Sequence, residues 1–79
     1  MADLSLEDIQ KIKKETPIRI AKNIREVREA KGLTQIELAN KIGSDRQYLY
    51  KIEAAKVSVT IAKLAIIAKA LDVSLKDLV

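Results

Sequence analysis

The chain has 79 residues, with 15 Lys and Arg against 11 Asp and Glu, for a net charge of +4. It contains neither cysteine nor histidine, which excludes a disulfide framework, a thiolate or imidazole metal site, a cysteine nucleophile and a histidine general base. Two glycines and one proline are the only strong breakers in a composition that is 48% apolar and almost wholly aliphatic, so one compact all-α domain is expected.

A domain this small buries only about 60% of its unfolded surface, so association with a second copy would add needed apolar burial. No run approaches the ~18–20 apolar residues of a membrane span. The opening MADLSLED is acidic and lacks the basic and apolar stretches of a secretory signal. A cytoplasmic location with no membrane partner is the expectation.

The first predicted element is a short helix over Ser5 to Glu15, with Leu6, Ile9 and Ile12 at helical spacing. Ser5 can cap it, and Asp8 can close a capping box. Pro17 suits the first turn of a second helix, where its missing N–H costs nothing. That helix is expected to run to about Lys31, with Ile20, Ile24 and Val27 inward and Gly32 as its left-handed cap. Thr34, with Glu37 three residues on, opens a third helix whose inner face is Leu38, Ala39 and Ile42. Gly43 ends it. Asp45 or Ser44 caps a fourth helix carrying Leu49 and Ile52 inward. Thr60 caps a fifth, Ile61 to Leu71, with Leu64, Ile67, Ala68 and Leu71 inward. Ser74 opens a last short helix, Leu75 to Val79.

Residues 1–17 hold three Lys and four acids, so the excess positive charge lies in the remainder of the chain. A small positive charge serves solubility or a nucleic-acid partner, and charge alone does not decide between them. The third and fourth helices are separated by only about three residues around Gly43, which forces a steep crossing of the helix-turn-helix kind. Ala39 is small, one turn before Gly43, and lets the two helices approach closely.

The segments IREVREAKGLTQIELANKIG, DRQYLYKIE and LAIIAKALDVSLKDL carry a more specific signal. From Ile24 to Leu78 the chain resembles the Cro/C1-type (XRE-like) helix-turn-helix family of phage repressors, restriction–modification controller proteins and bacterial regulators. The resemblance implies a compact five-helix lambda-repressor-like bundle, here with an extra short N-terminal helix. It implies two regions: an extension over residues 1–17 and a DNA-binding domain over 18–79.

It further implies that the fourth helix, residues 45–54, enters the major groove of double-stranded DNA. Arg46, Gln47 and Lys51 match positions that touch bases, and Tyr50 is exposed beside them. Arg and Lys suit guanine O6/N7, and Gln suits adenine N6/N7. The position of Gln35 bonds a phosphate and braces the recognition helix in the family. Thr34, Tyr48, Lys56 and Asn23, with Lys22, are further candidate phosphate contacts. The pair Arg28 and Glu53 matches a partly buried salt bridge between the second and fourth helices. Ala55 stands where the family usually has glycine. Val57-Ser58-Val59 replaces a polar or basic loop, with Val59 where proline is common.

One recognition helix covers few base pairs, so a homodimer on a palindromic operator is expected, with half-sites about 34–36 Å apart. Ile61, Ile66, Leu75 and Val79 form the candidate dimer patch. The function expected is sequence-specific transcriptional regulation, with repression by occupancy of the operator. The alternative is an antitoxin-type regulator that binds a partner protein through residues 1–17 and represses its own operon. No cofactor and no enzymatic activity are expected: there is no glycine-rich phosphate loop and no convincing pair of carboxylates.

Overall fold

The computed structural model describes residues 3–79, all of its regular structure helical. Four α-helices follow one another: α1 (Leu6–Ala30), α2 (Gln35–Lys41), α3 (Arg46–Glu53) and α4 (Ile61–Leu71), with a 3₁₀ turn over Leu75–Asp77. No helix among the described residues is long and apolar enough to cross a membrane.

The expected five-helix bundle with a separate N-terminal helix is thereby corrected. Its first two helices are one. α1 runs unbroken through Pro17 for 25 residues. An interior proline removes one ladder bond and crowds the preceding turn, at a cost of about 3 kcal/mol. Pro17 stands at the edge of the core: Thr16, Pro17 and Ile20 line an apolar crevice with Ile52, Val57 and Val59. The expected last helix, Leu75 to Val79, shrinks to the 3₁₀ turn, where Asp77 accepts from the Ser74 N–H at 3.0 Å.

Helix starts are set locally. Ser5 and Asp8 make a reciprocal capping box, as do Thr34 and Glu37. Asp45, not Ser44, caps α3, accepting from the Tyr48 N–H at 2.7 Å. Thr60 caps α4 through the Lys63 N–H.

All four helices also stop in the same way. A left-handed residue follows each, and the next N–H reaches back to a carbonyl five residues earlier: Leu33 to Arg28, Ser44 to Ala39, Lys56 to Lys51 and Val73 to Ala68. Gly32 and Gly43 supply two of these left-handed positions, while Ala55 and Asp72, both at φ 57°, supply the others.

The core joins Ile24 of α1, Leu38 of α2, Leu49 and Ile52 of α3, Ile67 and Leu71 of α4, and Leu78, all essentially fully buried. Leu78 is locked in place from α1, where the Asn23 side-chain amide donates to its carbonyl at 3.2 Å. Nothing from Asp3 to Glu15 is buried. The first part of α1 therefore stands out from the core as an arm, and Leu6, Ile9 and Ile12 on it are exposed.

Candidate nucleic-acid interface

α3 lies across α2 and α1, fixed by Leu49 and Ile52 on its inner face. That orientation leaves Arg46, Gln47, Tyr50 and Lys51 exposed along the outer face. Asp45 holds the first turn through its cap, and Lys51 sits in the last turn, where a cation suits the helix dipole.

The two tyrosines divide. Tyr48 is half-buried against the core, with Lys63 Nζ over its ring, 5.5 Å from the centroid. Tyr50 is exposed, with Lys56 Nζ 5.7 Å from its ring centroid. Lys56 is thus drawn to the side of α3 that carries Tyr50 and Lys51.

Beneath α3 lies a charged anchor. Arg28 Nε donates to Glu53 Oε2 at 2.7 Å, and Nη2 donates to Oε1 at 3.0 Å. Arg28 Nη1 also donates to the Leu33 carbonyl at 2.8 Å, closing the turn after α1. The hydrogen bonds to Glu53 raise the Arg28 pKa above its ordinary value, outweighing the opposing effect of burial. Gln35 Nε2 donates to the same Glu53 Oε1 at 3.2 Å. One carboxylate therefore ties α1, the start of α2 and the end of α3 together. One of the two Gln35 amide protons is used in this way, which leaves the other for an outside acceptor.

The remaining sequence candidates separate. The Thr34 hydroxyl accepts from the Glu37 N–H at the exposed start of α2. Asn23, expected at a phosphate, is half-buried and gives one of its amide protons to the Leu78 carbonyl. Lys22 forms a surface pair with Glu26 at 3.9 Å, a contact of little energetic weight. Ile61, Ile66, Leu75 and Val79 are all exposed, at 76%, 47%, 36% and 51%. Sequence reasoning missed Arg25. It borders a small crevice with Gln35, Tyr50, Glu53 and Ala54. No sequence signal marks that neighbourhood, because its members come from three helices.

Comparison with known proteins bears on this geometry. The Helix-turn-helix family model matches residues 24–78. The chain is 35% identical over 77 residues to control protein C.SmaI of Serratia marcescens, a match covering 98% of this chain and 83% of that one. The crystal structure of the restriction–modification controller protein C.AhdI from Aeromonas hydrophila superposes with a TM-score of 0.79 at 32% identity, over 82% of this chain and 94% of that one. A hypothetical transcription factor, NHTF, from Neisseria gives 0.76 at 29% identity, over 99% and 85%. An HTH_3 family transcriptional regulator from Vibrio cholerae gives 0.74 at 31% identity, over 78% of this chain and 35% of that one.

Proposed function

The chain belongs to the Helix-turn-helix family of DNA-binding transcriptional regulators rather than to any class of enzyme, and from that premise we propose that it acts as a homodimer on a palindromic operator. In this reading residues 18–79 form the DNA-binding domain and residues 1–17 an extension. α3 enters the major groove. Arg46, Gln47, Tyr50 and Lys51 face base edges, and Lys56, Gln35, Thr34 and Tyr48 face the backbone. The observation that carries the proposal is the exposed polar face of α3 held over the Arg28–Glu53–Gln35 network. That network fixes the docking angle, and base readout requires a fixed angle.

The dimer is built on Ile61, Ile66, Leu75 and Val79. These are exposed apolar side chains around α4 and the chain end, a surface that a two-fold axis could bury against itself. Occupancy of the operator represses transcription. The chain works in the cytoplasm, where it meets DNA, and its kinship with C.SmaI and C.AhdI favours a controller role in a restriction–modification system.

A second reading adds a protein partner on residues 1–17. The observation favouring it is the exposed stripe of Leu6, Ile9 and Ile12 on the arm.

Selection of bound duplexes from a random pool, repeated at two salt concentrations, tests the main proposal. A palindrome with half-site centres about 34–36 Å apart is expected. Binding with no enriched site, lost steeply as salt rises, would reduce the interaction to phosphate attraction and overturn it.

A further inference from the structure

Because α1 is one helix, charges that the sequence assigned to two separate elements fall on one surface. Lys11, Lys14, Lys22 and Arg25 are separated by three, eight and three residues, with Ile18 midway between Lys14 and Lys22. At 3.6 residues per turn these positions share one face of a continuous helix. All four cations are exposed. Glu7 and Glu29 lie beyond the two ends of the row, and Glu15 and Glu26 flank it on one edge, so the row itself carries only cations and Ile18.

Local ion pairing offsets the face only at Lys22. Among the described residues the ion pairs are Lys22–Glu26 at 3.9 Å and Arg28–Glu53, which leaves Lys11, Lys14 and Arg25 without an acidic partner. It also adjoins the DNA-reading surface. Arg25 shares a crevice with Gln35 and Tyr50. Lys22 and Arg25 line a second crevice with Ala54 and Ala55, immediately before Lys56.

We propose that the Lys11–Lys14–Lys22–Arg25 face of α1 is a second DNA-backbone site, which extends the footprint beyond the base pairs under α3. From Lys11 to Arg25 the helix rises about 21 Å, the length of roughly six base-pair steps measured along the duplex axis at about 3.4 Å each. Two features select DNA as the occupant: the row of cations uninterrupted by an acid between Lys11 and Arg25, and its continuity with Gln35, Tyr50 and Lys56. Contacts of this kind add affinity and salt dependence but no base preference. The operator would then require flanking duplex of no particular sequence. The inference rests on the placement of α3 in the major groove.

The test compares the full chain with its Lys11→Gln/Lys14→Gln variant. Both are titrated with the selected operator in long and short duplexes across a salt series. Both lysines are exposed and lie outside the core, so equal thermal melting is the control. The variant should lower the slope of log K against log salt by about 1.8, or 0.9 for each phosphate no longer neutralised. Between 50 mM and 200 mM salt, the wild type should lose about tenfold more affinity than the variant. Trimming the flanks should weaken the wild type more than the variant, which keeps only Lys22 and Arg25 of the four cations.

Equal slopes and equal dependence on duplex length would overturn the site. The two readings fail separately. A wild-type chain that selects no sequence overturns the recognition-helix placement. The slopes are then compared on random duplex, where equality overturns the α1 site as well.

Discussion

Arg28 and Glu53, 25 residues apart, meet in a two-pronged, nearly dehydrated pair, with Nε–Oε2 at 2.7 Å and Nη2–Oε1 at 3.0 Å. Gln35 joins the same carboxylate. The geometry uses the planar fork of arginine, which a lysine cannot reproduce. Removing one partner of a buried pair leaves the other charged and unsatisfied, at a cost of about 3–5 kcal/mol. Glu53→Ala should lose that much in urea unfolding, a large share of the stability of a domain of this size. Arg28→Lys should recover only part of it. Wild-type midpoints in both variants would show that the pair is not an anchor.

Ala55 adopts φ 57° in the turn after α3, where its Cβ is strained. A left-handed non-glycine residue costs about 1–2 kcal/mol, partly offset by the lower backbone entropy of alanine in the unfolded chain. Ala55→Gly should therefore stabilise the protein by up to about 1 kcal/mol, seen as a higher melting temperature. Operator affinity should not change. A lower melting temperature would mean that the turn draws its stability from the alanine methyl.

Glu37 closes the capping box of α2, and the Thr34 N–H donated to its carboxylate lowers its pKa. The folded protein then binds fewer protons than the unfolded chain between the folded pKa and the ordinary glutamate value of about 4.3. The stabilisation is complete above that value and fades as pH falls through the folded pKa. Between pH 5 and pH 3, wild type should lose more stability than Glu37→Gln. Parallel pH profiles would contradict this. Thr34→Ala, which removes the other half of the box, should cost about 1 kcal/mol at neutral pH.

Along α3, base-facing and backbone-facing residues should separate by experiment. Gln47→Ala or Lys51→Ala should cost about 1–3 kcal/mol on the selected operator and relax preference at one base position. Lys56→Ala should weaken binding to all sequences alike and reduce the salt slope by about 1. Fluorescence anisotropy against the operator and single-base variants distinguishes the two patterns. A uniform loss from Gln47→Ala would remove Gln47 from the base contacts.

Ile66, 47% exposed on α4, tests the dimer patch. Ile66→Glu would place two like charges across a two-fold axis and shift sedimentation equilibrium toward monomer. Operator binding should then require higher protein concentration, with α3 untouched. An unchanged mass distribution would move the dimer surface elsewhere.

Much of this molecule was fixed by short-range chemistry and so was legible in its sequence. Ser5, Thr34 and Thr60 mark helix starts because their side-chain oxygens accept N–H groups three residues on. Gly32 and Gly43 mark helix ends because each closing turn is local. The exposed face of α3 follows from the positions of Leu49 and Ile52 one turn apart. Tertiary packing decided what depends on residues far apart in the chain. Asn23 bonds the Leu78 carbonyl across 55 residues. Arg25 borders one crevice with Gln35 and Tyr50 only because three helices converge there. Pro17 stays inside one helix against its local helix-breaking preference, bordering a crevice with Ile52, Val57 and Val59, residues that only the tertiary fold brings near it; local propensity is a weak prior that tertiary context overrides.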